Sequence, residues 1–438
     1  MRAAALIAAY ALVVMLPLVV ALIVQPKSDD DATTMLGLHF GLVAFAVIAM
    51  QFVLSARLKW VSRAFGLDMV YRFHVAMGIF AACLLVCHPV LLAAGARDAG
   101  LLFGPRAGAL VWLGRGALVA LLAQALVSVY RAGIGLGFQQ WLKLHNGLAL
   151  VILGIGFAHS RLIGPDLENR PMRLLWLVLL VAALGAYAFN RVARFLWNRS
   201  HRYTVTDVRP ETPTVWTVRM AAPAGSAPYA YLPGQFHFLI FYRAPGLPVE
   251  EHNFTISSSP TEKGSIASSI KESGDFTRTM GQTRPGDTVA VQGPYGRFSY
   301  ALHPDEKDLV FIAGGIGITP LRAMLRHMAD TRADKDVLLI YANRDKADIA
   351  FRRELDEIAQ GSSPRLKVVH VLSKPGGEWK GEKGRLDGQR LLNFIGPGAT
   401  EKAYYICAPK ALTDMAIEAL KCAGVKGGRI HDERFWFV

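Results

Sequence analysis

Apolar residues are spread unevenly along this chain. Up to about residue 197 they gather into long runs separated by short polar links. An α-helix needs about 20 apolar residues to cross a bilayer, and six runs are long enough: 3–24, 35–56, 68–94, 108–130, 142–163 and 172–196. The first is long for a secretory leader and lacks a clear small-residue cleavage site, so it counts as a span. Beyond residue 197 the runs shorten. Strands of alternating polarity, punctuated by Pro and Gly, come first (RYTVTDV, TVWTVRM, PGQFHFLIFY), and a strand–helix alternation follows. The pattern predicts a membrane all-α six-helix bundle over 1–197. An antiparallel β-barrel follows over 198–303, then an α/β parallel-sheet domain over 304–438.

Two of the apolar runs carry a pair of imidazoles each. YRFHVAMGIFAACLLVCHPVLL contains His74 and His88, and LHNGLALVILGIGFAHS contains His145 and His159. Each pair is fourteen residues apart. At about 100° and 1.5 Å per residue, both members fall within roughly 40° of one helix face and about 21 Å apart along it. A lone histidine in a span can serve by hydrogen-bonding a neighbouring helix. Ionisable groups there are costly, however, and four at matched spacing predict two stacked bis-histidine haem sites between facing helices.

Lys and Arg set the orientation. Arg57, Lys59 and Arg63, then Arg131 and Lys143, then Arg191, Arg194, Arg199 and Arg202 flank one side, the expected cytoplasmic one. The other side has Asp29, Asp30 and Asp31, although Arg97, Arg106, Arg161, Arg170 and Arg173 reduce the contrast. Both chain ends then lie inside, with His74 and His145 at the inner level and His88 and His159 at the outer one. Arg72 and Arg115 can pair with haem propionates or snorkel to the interface. His39 can line an outer acceptor site or sit wetted at the interface. Cys83 and Cys87, four apart on one helix, read as packing residues.

The 438 residues exceed one ordinary core, and 52% are hydrophobic. The formal net charge of +14 follows membrane topology rather than nucleic-acid binding, because no basic run is interleaved with aromatics. The four cysteines, Cys83, Cys87, Cys407 and Cys422, form no C-x-x-C pair. No EF-hand loop is present.

The soluble half carries HNFTISSSP (252–260), GDFTRTM (274–280) and VQGPYGRFS (291–299), then DLVFIAGGIGITPLRAML (308–325), YANR and YICAPKAL. A Gly-rich turn between a strand and a helix is a dinucleotide-binding arrangement. Together these motifs resemble the ferredoxin–NADP reductase family, in its membrane-bound branch of ferric reductases and NADPH oxidases. The resemblance implies FAD binding by His252, Phe254, Thr255, Ser257 and Ser258, with Asn253 where that branch has Pro. His252 takes the place of the phosphate-facing Arg of soluble members. Gly274 and Thr277, at an expected helix start, read as a pyrophosphate cradle. Gly314, Gly315, Gly317, Thr319 and Pro320 would receive the nicotinamide cofactor. Arg344 either meets a 2′-phosphate, favouring NADPH over NADH, or is a solvated charge. Cys407, with Ala408 where the family has Gly, would sit beside the nicotinamide. Phe437, or else Phe435, would cover the flavin ring.

The expected function is an integral-membrane NAD(P)H oxidase or ferric reductase-type enzyme of a bacterial inner or plasma membrane, with its flavin module cytoplasmic. Electrons would pass from NADPH or NADH through FAD and two haem b groups to an outside acceptor. Dioxygen, giving superoxide, is favoured; a ferric or cupric chelate is the alternative. An electron-relay module for a membrane partner stays open, as does a haem-binding sensor with a degenerate reductase half.

Overall fold

The computed structural model describes residues 2–24, 31–105, 107–131, 133–223, 225–226, 228–377 and 379–434. It divides into two compact units, Met1–Phe195 and Leu196–Val438.

The first unit is helical. Its elements are α1 (Arg2–Val24), α2 (Ala32–Ser55), α3 (Lys59–Phe65), α4 (Leu67–Gly95), α5 (Gly100–Phe103), α6 (Ala109–Tyr130), α7 (Phe138–Ile163) and α8 (Arg170–Ala188), with α9 (Arg194–Ser200) following a wide π turn, Phe189–Ala193. Among the described residues, six helices are long and apolar enough to cross a membrane. The short α3 and α5 lie in links that the apolar pattern leaves as loops.

A helix in lipid is apolar all round, so burial rather than polarity marks the centre of the bundle. That centre is α2, where Leu42, Ala44, Phe45, Ala46, Val47 and Ala49 are buried. It packs chiefly on α4, and small residues bring the two close. A Cβ at Gly37 would lie 3.1 Å from Leu91 Cβ, and one at Gly95 2.1 Å from Thr34 Oγ1. On another face Phe45 stacks on Trp176 (ring centres 4.7 Å apart), whose indole N–H donates to Ser160 Oγ at 2.8 Å. Arg194 Nη2 donates to the carbonyls of Ala56 and Arg57 at 2.7 and 3.0 Å, meeting orphan acceptors past the end of α2.

The second unit holds two sheets. Strands β1 (Arg202–Thr212), β2 (Val215–Ala221), β3 (Phe236–Tyr242), β4 (Glu251–Thr255), β5 (Ser265–Lys271) and β6 (Thr288–Tyr295) form an antiparallel sheet in the order β4-β3-β6-β1-β2-β5. Tyr203, Val205, Val218, Leu239, Phe241 and Val289 alternate into its core. The parallel sheet contains β7 (Asp308–Gly314), β8 (Asp336–Asn343), β9 (Arg365–Leu372), β10 (Glu382–Lys383), β11 (Ala403–Cys407) and β12 (Ile430–Asp432), in the order β10-β9-β8-β7-β11-β12. Its helices are α10 (Ile318–Asp330), α11 (Arg352–Gln360), α12 (Gly388–Ile395) and α13 (Lys410–Cys422). Leu309, Phe311 and Ala313 join one core and Val310 and Ile312 another, so β7 is buried on both faces. Strand order reverses between β7 and β11, the crevice where open α/β sheets bind ligands.

Arg322 on α10 ties the parallel sheet to the barrel. It donates to Ser257 O at 2.5 Å and pairs with Glu354 at 2.8 Å. Replacing Arg322 with Leu strands a largely buried carboxylate and a carbonyl. Unfolding of the detergent-solubilised protein in urea should show a loss of about 3 kcal/mol, and the double variant with Glu354→Leu should recover part of it.

Candidate functional site

In the helical unit the four histidines meet in two pairs. The rings of His74 (α4) and His145 (α7) have centres 6.3 Å apart. Two imidazoles on opposite sides of one metal ion, each bonded at about 2 Å, place their ring centres roughly 6 Å apart. His88 and His159 likewise lie within electrostatic range of each other. The helix α4 packs chiefly on α2, and α7 on α6.

The His88 and His159 rings are each aimed by a helix carbonyl. His88 Nδ1 lies 2.7 Å from Gly37 O, and His159 Nδ1 lies 2.8 Å from Leu110 O. A carbonyl can only be the acceptor, so Nδ1 carries the proton and Nε2 is left with its lone pair, the tautomer that ligates metal. Room for each ring comes from a glycine four residues beyond the acceptor. A Cβ at Gly41 would stand 3.1 Å from His88 Cε1, and one at Gly114 would stand 2.5 Å from His159 Cε1. In the other pair His145 Nδ1 lies 3.4 Å from Ser128 Oγ, which also receives Trp141 Nε1–H at 3.2 Å. The Gln51 backbone lies beside His74, whose Nδ1 makes no hydrogen bond among the described residues. The donor set and its spacing fit haem.

His39 Nε2 is buried with no hydrogen-bond partner among the described residues and lies within electrostatic range of Asp166. Arg115 is spent elsewhere: it donates to the carbonyls of Gly100, Leu101 and Gly104 at 2.9–3.0 Å, next to the Trp112 ring. That favours a capping role over a propionate partner. Arg72 is exposed. Arg106, Asp29 and Asp30 lie outside the described residues.

In the barrel, β4 forms one edge of the sheet and presents half-buried His252, Asn253 and Phe254. His252 stacks on Phe276 (ring centres 4.2 Å apart) and its Nε2 lies 3.0 Å from Glu250 Oε2. These aromatic faces suit a flavin. Thr255 is buried, and its carbonyl ends a chain of hydrogen bonds. Ser268 Oγ donates to Thr255 O at 2.9 Å, so the His237 Nε2 found 2.6 Å from Ser268 must donate. Neutral His237 then accepts at Nδ1 from the Tyr229 hydroxyl, 2.5 Å away. Ser257 and Ser258 are fully buried and engaged within the protein, with Ser269 at 2.9 Å and Tyr231 at 2.8 Å. Thr277 differs from its expected role. Its hydroxyl accepts the backbone N–H groups of Ser273 and Gly274 at 2.8 and 2.9 Å, and it begins a six-residue 3₁₀ turn, Thr277–Gln282. Those N–H groups are therefore already satisfied, although a Cβ at Gly274 would meet nothing within 4 Å.

At the switch between β7 and β11 the glycines separate into two roles. A Cβ at Gly317 would stand 1.9 Å from Cys407 O, and one at Gly314 2.6 Å from Pro409 Cδ. These two let the loop pack on the end of β11. Gly315, at φ +55°, has open space before Lys271 and is the position where backbone can approach a ligand. Thr319 and Pro320 lie in the first turn of α10, and Thr319 Oγ1 donates to Ile316 O at 3.0 Å. Cys407 is wholly buried in the core, and burial raises its thiol pKa well above the usual value. Arg344 is exposed just past β8, beside Asn343, whose buried amide makes no hydrogen bond among the described residues. Phe435 and Phe437 lie outside the described residues.

Three family models match the chain in this order: ferric reductase like transmembrane component over residues 40–156, oxidoreductase FAD-binding domain over 204–300 and oxidoreductase NAD-binding domain over 311–418. The first includes His74, His88 and His145 and stops short of His159. A glycine betaine monooxygenase reductase subunit of Pseudomonas aeruginosa is 30% identical over 253 residues, 56% of this chain and 67% of that protein. Among solved structures, the FAD/NAD-binding domain of nitric oxide dioxygenase from Vibrio cholerae has a TM-score of 0.48 at 21% identity, covering 53% of this chain and 97% of that one. Flavohemoglobin from Malassezia yamatoensis, with bound FAD and heme, has a TM-score of 0.51 at 18% identity over 93% of this chain and all of that one, a likeness of fold alone.

Burial lowers the pKa of His237 from 6.5 to about 3. Between those values the unfolded chain holds a proton that the folded one does not. Its share of stability is therefore whole above pH 6.5 and lost as pH falls, by roughly 1 kcal/mol at pH 5.5. Urea midpoints at pH 7 and 5.5 should show the His237→Gln variant less pH-dependent than the parent by that amount.

Proposed function

The chain belongs to the ferric reductase and NADPH oxidase type of protein, a ferric reductase-like transmembrane component joined to FAD- and NAD-binding oxidoreductase domains, and from that premise we propose that it carries electrons across a bilayer from cytoplasmic NAD(P)H to an acceptor on the far side. The observation that carries this reading is the double imidazole pair, with Nδ1 of each outer ring held by a helix carbonyl. When bound, FAD would take the hydride of NAD(P)H as an electron pair, and two b-type haems would pass single electrons onward.

In this reading His74 and His145 hold the inner haem, and His88 and His159 the outer one. The Gly37 and Leu110 carbonyls keep the outer Nε2 atoms facing the iron and prevent the rings from turning. Phe254 and His252 offer faces to the flavin, and the Tyr229–His237–Ser268 chain fixes the backbone at Thr255. Gly315 admits the nicotinamide cofactor at the switch point, and Arg344 meets a 2′-phosphate, favouring NADPH. Cys407 serves as a fixed wall, since burial disfavours its thiolate. Two histidines holding each haem would leave no iron ligand position for the acceptor, which would then be reduced from a protein-lined site. A buried, unpartnered His39 nitrogen near Asp166 favours a small acceptor there, dioxygen reduced by one electron to superoxide, over a bulky ferric or cupric chelate. The resemblance to a monooxygenase reductase subunit supports a second reading, an electron relay to a protein partner.

The test uses the full-length protein in detergent with NADPH. Superoxide should form faster than ferrous product from a ferric chelate, with no partner added; NADPH oxidation that waits for a partner would favour the relay. The His88→Ala variant should lose one of two haems and at least ten-fold in superoxide rate, while flavin reduction keeps its parental rate. Gly114→Val, whose side chain enters the space of the His159 ring, should have the same effect. A folded His88→Ala protein that keeps both haems would overturn the ligand assignment.

A further inference from the structure

The soluble unit brings together three ligand-type side chains that the electron-transfer reading does not use. His303 and Glu306 lie in the segment entering β7, and His431 lies on β12, near the other end of the unit. Each offers a ligand atom, and these atoms lie within 4.8 Å of one another. We propose that His303, Glu306 and His431 form a binding site for a divalent cation of the zinc type, a staple between β12 and the lead-in to β7.

Ring geometry is the first support. The His303 and His431 rings are centred 4.2 Å apart with 31° between their planes. Imidazoles at neighbouring positions on one ion, each bonded at about 2 Å, have centres roughly 4.5–5 Å apart. A shift of under about 1 Å in half-buried side chains supplies the difference. The 6.3 Å between His74 and His145 belongs instead to ligands on opposite sides of an ion.

The second support is the shell around Glu306. Its Oε1 lies 2.9 Å from His431 Nε2, and its Oε2 accepts from the Tyr405 hydroxyl at 2.6 Å. Tyr405 is fully buried on β11, so it is a fixed donor that orients the carboxylate, as outer-shell partners of metal ligands do. Lys335 Nζ holds the loop below by donating to the carbonyls of Pro304 and Glu306 at 2.8 and 2.5 Å. A His431–Glu306 hydrogen bond alone would tie β12 down, but it gives no reason for a second imidazole stacked at this distance. Two nitrogens and one carboxylate oxygen suit Zn²⁺ with a water in the fourth position, whereas Mg²⁺ and Ca²⁺ prefer all-oxygen sets. The side chains of His431 and Glu306 are 17% and 15% exposed, enough for an ion to enter. Arg297 lies within electrostatic range of His303 and opposes the cation, while Glu306 contributes the favourable charge.

The test takes the full-length protein, strips it with EDTA and dialyses it against zinc chloride alone. The parent should retain one zinc per chain by mass spectrometry, with the two-imidazole pattern in zinc K-edge absorption. His303→Ala and Glu306→Gln should bind at least ten-fold more weakly. Zinc should raise the thermal midpoint of the parent and leave that of His303→Ala unmoved. A parent that retains no zinc overturns the proposal, as does a His303→Ala protein that retains as much as the parent. If Glu306→Gln fails to fold, His303→Ala and the parent spectrum still decide it.

Discussion

An imidazole placed among apolar helices has two nitrogens to satisfy, and that constraint organises the membrane unit. For His88, His145 and His159 one nitrogen finds a partner on the protein, a backbone carbonyl or a small hydroxyl. His88 and His159 solve this in the same way on different neighbours. The acceptor is the carbonyl of Gly37 in one case and of Leu110 in the other, with a glycine one helical turn further on clearing space for the ring. The second nitrogen of each then keeps the lone pair that the proposed haem iron would take. Gly37 and Gly41 therefore serve twice: they bring α2 close to α4, and they seat His88.

The second unit uses close packing to a similar end. At the reversal between β7 and β11, Gly314 and Gly317 give up side chains so that the loop can rest against Cys407–Pro409, and this fixes where Gly315 lies. In the barrel a neutral, buried histidine settles the direction of every hydrogen bond from Tyr229 to Thr255. In both places the groups able to touch a cofactor are few, and the neighbours that fix them carry the sequence constraint.

Much of this was legible in the residues. The six apolar runs fall on the six long helices, and the Gly-rich turn stands between a strand and a helix. The equal histidine spacing puts both rings of each helix near one face, because helical period and rise are fixed by backbone geometry, and the His74 and His145 rings do lie 6.3 Å apart. Other features depend on neighbours distant in sequence. A run apolar on every side gives no hint that α2 is central. Gly114 reads as an ordinary glycine until the His159 ring lies against it. Arg115 looks available until three carbonyls are counted around it, and the Thr277 hydroxyl looks free until the turn folds back on it. The Gly37–Gly41 spacing was the signal within reach, since small residues four apart in a span mark a close helix contact.

The most direct test of the paired-imidazole account is a low-temperature electron paramagnetic resonance spectrum of the oxidised, full-length protein, with haem and flavin counted on the same sample. The account predicts two low-spin ferric haems and one FAD per chain, with negligible high-spin signal, because every iron would have histidine on both sides. A dominant high-spin signal, or fewer than two haems per flavin in a fully loaded preparation, would contradict it.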